Sequence, residues 1–325
     1  MLKKGLDFSL WIDFLEREFI EDSLKRLVAE RTVNGATSNP AIFKNAILSS
    51  EAYKDQIASL RGKKPKEIYE ELAVYDIKRA ADVLQELYER GEEGFVSLEV
   101  DPSLASDAEG TVKEALSLYE RVGRKNLMIK VPLTEAGCEA VEELIGRGIN
   151  VNATLIFDPE MAKRGIEAFR RGISKNPRSK GVMSIFVSRF DRKLDETLKK
   201  EGIEPGKTGI YNAAKIYSMI QEAEIDNLKA LFASTGVKGN EYPKDYYISS
   251  LVADRSINTA PLETIEAFLK EGDATAKLPL SDETIEEHLQ RVDRVVDLKR
   301  VYSQLLEEGL EAFEIAFEEI LKALE

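Results

Sequence analysis

The sequence holds very little histidine, cysteine or tryptophan: in 325 residues there is one of each, His288, Cys138 and Trp11. A single cysteine excludes an internal disulfide and every thiolate-cluster metal site. Cys138 falls in an apolar helical pattern with Ala140, Val141, Leu144 and Ile145 and reads as a small core residue. His288 lies in a charged helical stretch far from every predicted strand and reads as a helix-surface or packing residue. A Ser-His-Asp hydrolase and a histidine-ligated zinc enzyme are therefore poorly supported. Basic residues are also in deficit, 46 against 59 acidic, for a formal net charge of -13. That balance argues against nucleic acid or an anionic membrane as the main partner, and an anionic small substrate would need a locally basic site. No apolar run reaches about 18 residues and no signal-peptide pattern opens the chain, which points to a soluble, cytoplasmic protein. Neither G-x-G-x-x-G after the first strand nor G-x-x-x-x-G-K-[ST] occurs. The chemistry is left to lysine, carboxylates and hydroxyls.

Among the residues present, apolar extended runs alternate with helical patterns. Strands are expected near Ser9–Asp13, Val33–Thr37, Phe95–Val100, Leu127–Val131, Ile149–Leu155, Val182–Val187, Ala230–Ser234 and Tyr246–Val252. Between them run segments of 3.6-residue periodicity, such as Ala80, Val83, Leu84 and Leu87. Ser106 with Glu109 reads as a capping box, Asp158 before Pro159 as an N-cap, and Gly91 and Gly123 as helix ends. Alternating strands and helices imply a parallel sheet. Eight such units imply closure into a (β/α)8 TIM barrel, with an open doubly wound sheet as the alternative. No linker divides the chain, so one catalytic domain is expected over residues 1–325. From Ser281 to Glu325 a charged helical extension with an apolar side is expected to pack on the barrel or on a second subunit.

One strand is anomalous. Leu127-Met128-Ile129-Lys130-Val131-Pro132 sets a lysine inside an apolar run, and an isolated ammonium in a low-dielectric core needs a partner or loses its proton. Lys130 could simply snorkel at the strand end, or it could be an amine kept for covalent chemistry on a carbonyl. In a barrel, chemistry collects at the C-terminal mouth, and there other strands also end in polar residues. Asp13 ends the first, Ser38-Asn39-Pro40 follows the second, and Glu99 stands near the end of the third. Asn152 and Thr154 share a face of the fifth, Ser184 and Arg189 belong to the sixth, and Ser234 closes the seventh. Each has an ordinary reading: Asp13 as an N-cap, Asn39 as turn chemistry, Asn152 as a strand cap, Thr154 as a good strand former, Arg189 as part of a solvated face. Glu99 is harder to dismiss, because a carboxylate between Leu98 and Val100 is unusual in an apolar parallel strand.

Together these pieces resemble the transaldolases, specifically the longer bacterial type within the class I Schiff-base aldolases. The match rests on Trp11 to Leu15, Gly35 to Phe43 with its T-x-N-P, Val96 to Pro102 with E-V-D, Ile129-Lys130-Val131-Pro132, Asn152 to Phe157, Ser184 to Arg189 and Ala233 to Lys238. It spans nearly the whole chain.

The resemblance implies transfer of a dihydroxyacetone unit between sugar phosphates in the pentose phosphate pathway, without a metal or organic cofactor. Sedoheptulose 7-phosphate and glyceraldehyde 3-phosphate would give erythrose 4-phosphate and fructose 6-phosphate. It makes Lys130 the Schiff-base lysine, Asp13 the base for the hydroxyl that becomes the leaving aldehyde, and Glu99 with Thr154 the group that positions a water for proton transfer. Asn39 and Asn152 would hold substrate hydroxyls, and Arg189, Ser184 and Ser234 the phosphate. Shorter family members carry Ser-x-Arg after the seventh strand. Here Ser234-Thr235-Gly236-Val237-Lys238 departs from that pattern, and Lys238 is expected to take the arginine's part. The partners implied are small sugar phosphates, with the chain a monomer or homodimer. The alternatives are a fructose-6-phosphate aldolase that releases free dihydroxyacetone, and a non-catalytic sugar-phosphate binding barrel.

Overall fold

The computed structural model describes residues 5–325. Eight parallel strands close in sequence order: β1 Phe8–Ile12, β2 Gly35–Thr37, β3 Phe95–Glu99, β4 Leu127–Pro132, β5 Asn150–Ile156, β6 Gly181–Phe186, β7 Leu228–Ala233 and β8 Ser256–Ala260. Closure runs through β8 on β1, Phe8 opposite Ser256 to Ile12 opposite Ala260. All the strand residues except Lys229 are buried, because helices cover the outside and side chains fill the inside. This is the expected (β/α)8 barrel. No helix among the described residues is long and apolar enough to cross a membrane.

The eighth strand was misplaced by the sequence pattern. Tyr246–Val252 looks strand-like because of its aromatic and β-branched residues, yet Tyr246–Ser250 is a short helix. Its tyrosines serve the barrel's flank: Tyr246 stacks on Tyr242 at 4.6 Å and donates to Gly206 O, and Tyr247 donates to Asp191 Oδ2. The true β8, Ser-Ile-Asn-Thr-Ala, is short and polar. Much of its polarity is met inside the barrel, where Thr235 donates to Asn258 Oδ1 at 2.7 Å and Thr259 shares a hydrogen bond with Thr37 at 2.7 Å, while Asn258 Nδ2 is left without a partner. The Ser106 cap is likewise corrected by one residue. Asp107 caps Ala108–Val122, accepting from Gly110 N at 2.9 Å, and the helix ends at Gly123 with φ +61°. Asp158 caps its helix as expected, accepting from Glu160 N at 2.9 Å.

Two close approaches fix helices against strand ends. A Cβ on Gly137 would overlap Pro132 O, and one on Gly209 would overlap Val187 O, so only glycine lets these helix starts seat beside β4 and β6. β5 carries an irregularity: Ala153 to Ile156 spans Met183 to Ile185 on β6, and Leu155 adopts φ +57°. Such a bulge re-aims side chains at a barrel rim.

The extension forms helices Asp282–Asp293 and Leu298–Ala323. His288 is buried, its ring tilted against Tyr211 at 4.5 Å between centroids and its Nε2 3.1 Å from Thr208 Oγ1, and burial pushes its imidazole pKa down to about 4. The helix Leu298–Ala323 lies across the C-terminal mouth. Tyr302 meets Phe190 at 5.8 Å, Gly309 packs on Leu155 and Arg189, and Phe317 meets Tyr69 edge-on at 5.0 Å. Ion pairs Lys193–Glu308 (2.5 Å) and Lys44–Glu319 (2.8 Å) lie on either side.

Candidate active site

The C-terminal mouth holds a cavity of about 130 Å³ lined by Asp13, Thr37, Asn39, Lys130, Thr154, Ser184, Phe186, Arg189, Ala233, Ser234, Thr259 and Phe313. Strand register explains its centre. Glu99 on β3 stands beside Lys130 on β4, which stands beside Asn152 on β5. Three polar side chains thus stand side by side in register on neighbouring strands.

Lys130 is 5% exposed, which removes the snorkelling reading. Its Nζ donates to Ser38 O at 3.0 Å, lies 3.2 Å from Glu99 Oε2 and sits 5.6 Å from the centroid of the Phe313 ring. Although within ion-pair distance of the amine, neither Glu99 oxygen has a well-aligned hydrogen bond, and buried Thr154 Oγ1 also has no partner. Burial pushes the Glu99 carboxyl up to about 7, against the pull of Lys130. Asp13 follows β1, accepts from Thr37 Oγ1 at 2.6 Å and is likewise raised by burial, with Lys130 and Thr37 opposing. It is not a cap, since Glu16 caps the helix that follows. Two carboxyls therefore flank one amine, both with pKa values moved toward the range where they exchange protons.

Asn39 has two duties. Its Oδ1 caps Pro40–Ser49 by accepting from Ile42 N at 3.0 Å, and its side chain also lines the cavity. Asn152 lies deeper, with no exposure: its Nδ2 donates to Ser97 Oγ at 3.0 Å and its Oδ1 accepts from Ser184 Oγ at 2.7 Å. It supports Ser184 and, like Glu99 in the same register row, stands behind the residues that line the cavity. Arg189, in the first turn of Ser188–Lys200, lays its guanidinium 5.0 Å from the Phe186 ring centroid and has no ion-pair partner among the described residues. Burial, then Arg192, lowers its pKa from the usual arginine value. Ser234 sits at φ +56° with its hydroxyl 3.0 Å from that of Ser188. Its left-handed backbone aims it into the cavity beside the guanidinium.

Lys238 departs from expectation. It is exposed and lines a separate cleft with Arg192, Glu241 and Tyr242, outside the cavity. The loop after β7 carries it away through Val237. Sequence reading also missed Phe186, Thr37, Thr259 and Phe313 as cavity walls. Thr37 closes an expected strand, but Thr259 lies in the β8 that the pattern misplaced, and Phe186 and Phe313 belong to apolar patterns that look like ordinary core.

A buried amine beside a carboxyl, at the mouth of a (β/α)8 barrel and facing an unpaired guanidinium, is the arrangement of an enzyme for anionic carbonyl compounds. The family described as Transaldolase/Fructose-6-phosphate aldolase matches residues 10–324. The chain belongs to this family. It is similar to a curated transaldolase of Campylobacter jejuni subsp. doylei, 46% identical over 330 residues, covering 98% of this chain and 99% of that protein. A transaldolase of Helicobacter pylori is 43% identical over 319 residues, with coverage of 98% and 99%.

Proposed function

We propose that the chain is a transaldolase that moves a dihydroxyacetone unit from sedoheptulose 7-phosphate to glyceraldehyde 3-phosphate, giving erythrose 4-phosphate and fructose 6-phosphate. The observation that carries this reading is the Lys130 amine, 3.2 Å from Glu99 and walled off from solvent. Lys130 attacks the ketose carbonyl and Glu99 takes the proton that the nitrogen sheds. Loss of water, with Glu99 and Thr154 handling the transfer, leaves an iminium. Asp13 then takes the proton of the hydroxyl on the far carbon of the bond that breaks, the oxygen that becomes the leaving aldehyde's carbonyl. The C–C electron pair flows into the iminium, the aldehyde leaves, and the enamine waits on Lys130. Attack of the enamine carbon on the second aldehyde reverses these steps.

Asn39 orients substrate hydroxyls, and Arg189 with Ser184 and Ser234 holds the phosphate, a guanidinium and hydroxyls being suited to a dianion. Asn152 supports Ser184. The barrel and the 281–325 segment act as one catalytic domain in the cytoplasm, as a monomer or homodimer, on small sugar phosphates and away from nucleic acid and membrane. Borohydride reduction with fructose 6-phosphate tests the reading: it should leave a mass adduct on Lys130, and a protein without that adduct has another chemistry. Turnover with and without erythrose 4-phosphate separates transfer from release of free dihydroxyacetone.

A further inference from the structure

Phe313 is the one cavity wall contributed by the C-terminal helix, and it is 5% exposed. Its ring centroid lies 5.6 Å from Lys130 Nζ, inside the roughly 6 Å range over which an aromatic face attracts a cation. The ring is held in place from both directions along the helix. One turn earlier Gly309 abuts Leu155 and Arg189, and one turn later Phe317 packs on Tyr69, itself 6.0 Å from Phe43. Packing alone would accept a leucine or methionine at this position of the stripe. What phenylalanine adds is the negative face of its ring, turned toward the reacting nitrogen.

We propose that Phe313 acts on the reaction itself by stabilising positive charge on Lys130 Nζ, above all in the iminium. This rests on the Schiff-base reading. In forming the iminium, amine, ketone and one proton give the C=N bond and one water, and the nitrogen becomes a cation. Cleavage of the C–C bond then drains the carbon electron pair into that C=N bond and neutralises the nitrogen. The ring therefore favours the iminium over both the carbinolamine before it and the enamine after it. Phe313 raises the standing population of the electron sink and leaves phosphate binding to Arg189.

The test replaces Phe313 by phenylalanines bearing one to four ring fluorines, which drain the face of the ring with little change of shape. With fructose 6-phosphate, the fraction of Lys130 trapped by borohydride should fall step by step along the series. The total loss should be between about twofold and thirtyfold, while binding of inorganic phosphate stays constant. A flat series overturns the proposal. Phe313→Leu should trap no better than the most fluorinated ring, and full trapping in that variant also overturns it. If the unsubstituted enzyme forms no adduct on Lys130, the Schiff-base reading falls and this inference falls with it, an outcome distinct from a flat series.

Discussion

Glu99 is the residue whose environment most directly sets a measurable pH dependence. In the free enzyme it must be ionised to receive the proton from Lys130, and its carboxyl is pushed up to about 7 by burial. The acid limb of kcat/KM should therefore inflect near pH 7, activity rising from pH 6 to pH 8; the inflection belongs to the coupled Glu99–Lys130 pair. Glu99→Gln should erase the limb and lower the rate by roughly 10²- to 10⁴-fold. An unchanged limb in that variant would move the titrating group elsewhere. The same burial carries a stability sign. The folded-state pKa lies above the ordinary 4.5, so the contribution is full below that pH and is lost as pH rises through about 7. Thermal melts at pH 5 and pH 8 should show Glu99→Gln losing less stability than wild type over that interval. Arg189 and Lys238 make a second contrast. Arg189→Ala should raise KM for phosphorylated substrates at least tenfold, and Lys238→Ala, outside the cavity, should leave it within twofold; equal effects of the two would put Lys238 back in the phosphate site.

Among the elements, the helix Leu298–Ala323 matters most to the site, and Gly309 is its sensitive point. A Cβ there would meet Leu155 Cδ2 at 2.9 Å and Arg189 Nη1 at 3.1 Å. Gly309→Ala gains roughly 0.5–1 kcal/mol of helix preference, and the atoms it crowds are side-chain ends that can shift. The expected result is a melting temperature near wild type together with a several-fold rise in KM for phosphorylated substrates, because Arg189 is displaced. A fall in stability with unchanged KM would show that Arg189 does not feel this helix. The element scale is also where sequence and structure part company. Strands rich in valine, isoleucine and leucine announced themselves through runs such as Leu127 to Val131, because burial on both faces demands them. β8 did not, since Asn258 Oδ1 and the Thr259 hydroxyl find their partners in Thr235 and Thr37, which the local pattern does not show. The site reads the same way. Lys130 and Glu99 were legible because charge in an apolar strand is costly. Phe313 was hidden because an aromatic on an amphipathic helix obeys every packing rule, and its place over the amine depends on a contact between residues far apart in sequence. Asn152 had the right strand and face, but only the geometry shows that its amide bridges Ser97 and Ser184.

For the whole molecule the governing quantity is a net charge of -13 around the cavity in which Arg189 is the proposed phosphate ligand. The long-range field repels an anionic substrate, while Arg189 attracts it at short range from a half-buried position where salt screens less. Raising ionic strength from about 0.01 M to about 0.15 M should therefore raise kcat/KM modestly, the reverse of what a basic binding surface gives. A steady decline with salt would mean that exposed cations dominate substrate capture.

The position of Phe313 also bears on how the protein is made. Every strand of the barrel precedes residue 298, so during synthesis Lys130 and Glu99 can come together while the helix that covers them is still being added. The helix Leu298–Ala323, which brings Phe313 to the cavity, is thus the last wall of the mouth to be synthesised.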